Sequence, residues 1–494
     1  MKGLFTKTGI LIISAVFAFA SCGKEDIYTI VAGSNSEEMG TVTGDGNYSE
    51  GSVATLVAEP KPGYHFMIWA DGSRKNPRKI TVNKNMVLMA IFGIGERPDN
   101  GGDDDDENEI INPDEQAIGL SGTISESLTL KDRGLDVDYI VYDRLTIGGN
   151  ANVTVEPDVK IMFSSILGNI TVGGNASLNI AGTASKPVVF VGKTDDIDTG
   201  SWHGIELATS STSNNWEYAT FKNGGSGCAV SVRKGSLSMK SCVIDGSAGN
   251  GLDVWEDGVV TKIEDCIFKK CSEYPIVFSA GVKGVNINAL GEKNDFFDNG
   301  ENFIRCDSKN FGGDTEYVIR KMSVPYLFTE GIDISESAKF TIEPGVEILM
   351  GLCTKFSVGK NVMFKAVGTA ERPISIRGDE DVAGHWDVLK METTVKESVM
   401  EYCNVANAGI ESATDCAFFI DGNSRFTMRN CTFTKIGSDL GVTIGNAGNF
   451  AKNVAFENIT FKGVADVVYV SVGGGSVESG SLFGSLEAMM AAMK

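Results

Sequence analysis

Histidine is almost missing from this chain: there are three in 494 residues, beside 11 prolines and five tryptophans. Cys266 and Cys271 form a lone cysteine pair with no second pair and no histidine nearby, which leaves no zinc-type ligand set. Basic residues are also short, 43 against 65 acidic ones, for a formal charge of −22. Removing the first 21 residues takes away Lys2 and Lys7 and leaves −24. That balance argues against gripping nucleic acid or anionic lipid, and suits cations and neutral or basic partners. Long apolar runs are lacking too; the best, Ile10 to Ala20, is too short for a permanent bilayer span. No Gly-x-Ser-x-Gly elbow sits between a strand and a helix. The run Gly473-Gly474-Gly475-Ser476 has no following lysine, so it is a turn and not a phosphate loop.

Glycine is plentiful, at 59 residues. With so little proline, it suits many tight turns between short strands rather than long helices. The length exceeds what one compact core usually holds, so several domains or an elongated repeat is expected. Lys2, Lys7 and the apolar Ile10–Ala20 stretch have the form of a targeting segment. It ends in Phe19-Ala20-Ser21-Cys22, which resembles the lipobox of bacterial lipoproteins. The resemblance implies a signal peptide over 1–21 and an acylated Cys22 that holds the protein on outer-membrane lipid without a transmembrane helix. Gly23-Lys24-Glu25-Asp26 resembles the signal that sends Bacteroidetes lipoproteins to the outer face of that membrane, so residues 22–26 are set apart with it.

Residues 27–93 alternate apolar and polar positions around Val53–Val57 and Ile80–Ile91, with turn signals at Gly44-Asp45-Gly46, Pro62-Gly63 and Asp71-Gly72-Ser73. A small β domain is expected. Its Glu50-Gly51-Ser52 start, its Pro-x-x-Gly-Tyr-x-Phe-x-x-Trp run ending at Trp69, and Asn76-Pro77 resemble the divergent internalin-type B-repeat of bacterial surface proteins. That resemblance implies a compact β module used as a spacer or adhesive element, not an enzyme. Phe66 and Trp69 have the form of ligand platforms, but core is the favoured reading of both. Residues 94–116, with acids from Asp103 to Glu109, cannot bury apolar surface and are expected to be a disordered linker. The run lacks the spacing and central glycine of an EF-hand loop.

Beyond the linker the chain repeats. LTIGGNANVTVEPDVKIMF answers IDISESAKFTIEPGVEILM, and Glu156-Pro157, Gly182-Thr183 and Glu217-Tyr218 recur at shifts of 187, 186 and 184. Within each block, short β segments return about every 24 residues: Ala229–Val232, Leu252–Trp255, Ile276–Phe278. No helices intervene to make crossovers, so each strand must pair with its copy one coil on. About 15 coils in a rod near 70 Å are expected at about 4.8 Å per coil. The pattern over 117–472 resembles pectin-lyase-like proteins: an all-β, right-handed, single-stranded parallel β-helix in two related blocks. Residues 473–494 are a Gly/Ser tail and a short helix, N-capped by Ser481 or Ser485, expected to cover the open end.

Nine cysteines remain after Cys22, and Cys242 and Cys266 stand one coil apart. Buried free thiols stacked along a ladder are favoured over cross-coil disulfides. One candidate site is duplicated: Asp195 and Asp196 precede Trp202-His203, and Asp379 and Glu380 precede His385-Trp386. Carboxylates beside His and Trp are the chemistry of a sugar or calcium site, the indole stacking on a sugar ring. A polar loop feeding a strand, with the Trp packed on the coil wall, fits the same residues. The His–Trp order is swapped between copies, which argues against one preserved geometry. The Asn-Thr-Asp, Gly-His-Gly and Arg-Ile-Lys signatures of polygalacturonase-like hydrolases do not occur as a set. No catalytic residue and no cofactor is therefore assigned. The expected function is a non-catalytic surface protein that binds glycan, host or matrix components, with a polysaccharide lyase or glycoside hydrolase and an inert spacer as alternatives. A groove with two carboxylates at glycosidase separation, or with acids beside an arginine, would sink the binding-only reading.

Overall fold

A computed structural model describes residues 27–34, 39–69, 73–94, 117–193, 200–410, 416–445, 450–464, 466–470 and 481–493. The signal segment with Cys22, the acidic run, Asp195, Asp196 and the glycine-rich 471–480 lie outside these. The chain divides into two compact units, 1–108 and 109–494.

In the first unit, Gly40–Thr43, Val53–Pro60 and Arg78–Thr81 form one antiparallel sheet. Gly46–Ser49, Ile27–Ser34, Met86–Ile94 and Tyr64–Trp69 form a second. Period-two alternation buries Ala54, Leu56 and Ala58 against Trp69, Ile80, Leu88 and Phe92. The Trp69 indole N–H donates to the Lys75 carbonyl at 2.8 Å, which satisfies its one polar atom inside the core. Asn76 closes the neighbouring turn, accepting from the Ala58 N–H at 2.8 Å and donating to its carbonyl at 2.6 Å. Trp69 is in the core, and Phe66 lies half-buried against it at 5.6 Å between centroids.

The second unit is a parallel β-solenoid of about 13 turns in an all-β chain. It has fewer coils than a 24-residue period implies because several are longer. Val188 pairs with Ala219, Ile276 with Ile304 and Ile374 with Cys403, steps of 31, 28 and 29 residues. Each coil turns its odd or even residues inward, and one continuous core runs from Leu120 to Met489. Phe190 stacks on Phe221 and Phe433 on Phe461, at 5.1 and 4.5 Å, because in-register pairing sets like residues above one another.

The two related blocks do not stack face on face. Gly204–Thr209 belongs to a 28-stranded ladder, whereas its sequence counterpart Leu389–Met391 belongs to a separate eight-stranded ladder that opens at Asn310–Phe311. Between them, a 3₁₀ turn at Gly284–Ala289 takes the place of a strand, held by the buried Asn286 side chain, which accepts from the Val260 N–H at 2.6 Å. The C-terminal end closes as a strand and then a helix. Ser481–Phe483 pairs antiparallel with Asp466–Val470, and Leu486–Ala492 is helical, burying Leu486 and Met489. Ser485 is the N-cap, its hydroxyl accepting from the Ala488 N–H at 3.0 Å.

Candidate functional site

Three neighbouring coils bring a polar column to one outer face. Gly204–Thr209, Cys228–Lys240 and Asn250–Glu264 pair in parallel, with Glu206 opposite Ser231 and Ser231 opposite Asp253. The residues on either side of each, such as Leu252 and Val254, point into the core, so the alternation forces these three outward. Arg233 and Trp255 follow two residues further along their strands. With His203 and Ser226 at one edge, these side chains bound a cleft of about 290 Å³.

The floor of the cleft is polar and incompletely bonded. Ser231 Oγ and Asp253 Oδ1 are both buried, and neither has a hydrogen-bond partner. Asp253 is 9 % exposed, and burial pushes its carboxyl up to about 6, with the nearby negative charge of Glu273 acting in the same direction. The nearby polar groups of Asn250 and Cys228 and the charge of Arg233 oppose that rise without cancelling it. Burial, reinforced by Asp253, pushes the Cys228 thiol up as well, so it is no nucleophile at neutral pH. Arg233 is already engaged: its Nε meets Glu206 Oε2 at 2.6 Å, and its guanidinium lies 4.5 Å from the Trp255 ring centre. Trp255 remains 39 % exposed at the rim.

Of the residues singled out from sequence, His203 lies in this cleft, exposed, with Nδ1 2.5 Å from Ser226 Oγ. Trp202 does not reach it. Its ring is fully buried, stacked on Phe163 at 4.1 Å and 3°, and its N–H donates to the Lys222 carbonyl at 2.8 Å. Gly224 allows this approach, since a Cβ there would sit 2.5 Å from the indole. Trp386 is buried in the same way and donates to the Ala406 carbonyl, also at 2.8 Å and also 20 residues ahead. The expectation that these indoles offer a sugar platform is corrected: both faces are spent in the core. The swapped His–Trp order also misleads, because the tryptophan geometry is preserved in both copies. Asp379 meets His385, whose ring is 6 % exposed, and Glu380 is exposed in the same turn. Among the described residues no group of three or more His, Cys, Asp or Glu is placed to hold a metal ion.

The second block carries no copy of the cleft. Four residues on from Trp202 is Glu206; four on from Trp386 is Lys390, whose ladder runs to Phe419 and Thr443. A cation now lies 5.7 Å from an aromatic ring where the first block has an acid facing a serine. Glu206, Ser231, Arg233, Asp253 and Trp255 were missed from sequence. The alternation marks Ser231, between Val230 and Val232, and Asp253, between Leu252 and Val254, as outward, but it does not give the register that pairs them.

Residues 30–95 match a family model described as the divergent InlB B-repeat domain, and no curated protein matches the chain.

Proposed function

We propose that this is a surface-anchored recognition protein, held on the outer membrane by an acylated Cys22, whose solenoid engages a saccharide in the cleft over Ser231 and Asp253. The two unpartnered oxygens on adjacent coils carry the reading. Leaving a buried polar atom unbonded costs about 1–3 kcal/mol, so two together at the floor of one cleft suit a ligand that supplies the missing partners. Trp255 offers an apolar surface for a sugar ring, and Glu206, Arg233 and Asp253 offer partners for its hydroxyls. The B-repeat domain fits a spacer or adhesive role.

Cleavage in the same cleft is the second reading, because acids stand beside Arg233. A carboxyl near 6 has the acidity of a general acid. Glu206 stands two coils away, about 10 Å along the backbone, at the upper edge of the roughly 6.5–9.5 Å between carboxyls in inverting glycosidases. Its ion pair with Arg233 makes it a poor base, which favours binding over hydrolysis.

Incubating the folded chain with a polysaccharide panel separates the two. Binding without new reducing ends or unsaturated products supports recognition. Product that disappears in Asp253→Asn supports cleavage, and neither binding nor product rejects both. For the anchor, Cys22→Ala is expected to leave the detergent phase on partitioning; a variant that stays there rejects lipidation.

A further inference from the structure

The cleft has a charge to balance as well as hydrogen bonds to complete. Its lining holds two carboxylates, Glu206 and Asp253, against one guanidinium, Arg233, with the His203 imidazole at its edge bonded to Ser226. Arg233 is committed to Glu206 at 2.6 Å and to the face of Trp255. Asp253 has no ion-pair partner among the described residues; the groups around it are the Cys228 thiol, the Ser231 hydroxyl, Asn250, Glu273 and Arg233. A neutral hydroxyl can satisfy Asp253 Oδ1 but leaves its buried negative charge uncompensated. An ammonium group does both, and its remaining protons reach an acceptor in Ser231 Oγ.

On the footing of the saccharide reading, we propose that the cleft takes a sugar with a free amine, an unsubstituted hexosamine unit whose ammonium seats between Asp253 Oδ1 and Ser231 Oγ while the ring lies along Trp255. The ammonium selects the ionised carboxyl. Where Asp253 is protonated, binding therefore expels its proton, and affinity rises with pH until the amine itself loses charge. With a carboxyl near 6 and a sugar amine that itself loses charge close to neutrality, the rise between pH 5 and pH 7 is a few-fold, and the gain of about tenfold from Asp253 alone is its upper bound.

The test uses the whole chain, at physiological salt, with three tetrasaccharides of one linkage: β-1,4-glucosamine, its fully N-acetylated form and the plain glucose form. Titration calorimetry at pH 7 is expected to show the amine tetramer binding at least tenfold more tightly than the other two, with proton release at pH 5. Asp253→Asn is expected to erase the preference, and Lys390→Ala, in the second block, to keep it. Because the chain is acidic overall, a preference that survives in Asp253→Asn reflects its general charge and overturns the inference. Equal binding of the N-acetylated or glucose tetramer overturns it too, and leaves saccharide recognition standing. If no saccharide in the panel binds, the underlying reading falls with it.

Discussion

Ser231 and Asp253 face each other across neighbouring coils, and each ends in a buried oxygen with no hydrogen-bond partner. A solenoid built for rigidity alone would fill such positions with threonine or valine, which pack on a ladder without stranding a charge. The chain keeps an acid there, and that choice has a measurable stability cost.

The cost depends on pH. The folded carboxyl of Asp253 titrates near 6, above the ordinary value of about 3.9 for an unfolded aspartate. Its contribution to stability is fully present below the unfolded value and is lost as pH rises through the folded one. Asp253→Asn does not titrate. Relative to the parent, it is expected to gain about 2–3 kcal/mol between pH 4 and pH 7.5, read from urea unfolding at both. An unchanged difference between the two pH values refutes the assignment.

Trp202 and Trp255 have opposite roles. Trp202→Phe strands the Lys222 carbonyl and opens a cavity beside Phe163, and is expected to cost about 1–3 kcal/mol with no change in ligand preference. Trp255→Ala is expected to change stability by about 0.5 kcal/mol or less and to weaken saccharide binding at least tenfold. Denaturant midpoints and titrations on the same two variants check both halves.

Thiol chemistry follows burial. All nine cysteines among the described residues are free, and Cys353 is exposed. Burial pushes Cys271 up to about 12, and Cys242, stacked against Cys266 on the next coil, well above its usual range. A thiol reagent is expected to label Cys353 in seconds to minutes. Cys242, Cys266, Cys403 and Cys431 should be labelled only after unfolding, as peptide mapping would show.

The end of the ladder should be equally sensitive. Ser485→Ala removes the cap of the last helix and is expected to cost about 0.5–2 kcal/mol of local stability. Ending the chain before Ser481 strips both helix and strand from Asp466–Val470, leaving a bare parallel edge. Light scattering is expected to show self-association of that truncation and none of the full chain.

The solenoid, the B-repeat-like module and the terminal helix were legible because each depends on local periodicity and turn chemistry. The cleft was not, and register explains why. Read four against four, Ala229–Val232 sets Ala229 on Leu252, but the ladder pairs Val230 with Leu252. With a side-chain period of two, that single-residue slip exchanges inside for outside, so Ser231 and Asp253 never lined up. The same limit hid the relation between blocks. Inward residues repeat, as Trp202 and Trp386 do, because the core demands it. Outward residues are free to diverge, so Glu206 became Lys390. Nothing local in the sequence reveals the 3₁₀ turn at Gly284–Ala289, or that a separate eight-stranded ladder opens after it at Asn310–Phe311.

The central claim is that Ser231 Oγ and Asp253 Oδ1 await a ligand. A crystal structure of the chain soaked with the tightest-binding saccharide tests it most directly. The account predicts the sugar ring along Trp255, with polar atoms of the sugar within hydrogen-bond distance of both oxygens. A saccharide seated on any other face, with these two oxygens still unbonded or bonded only to water, would contradict it.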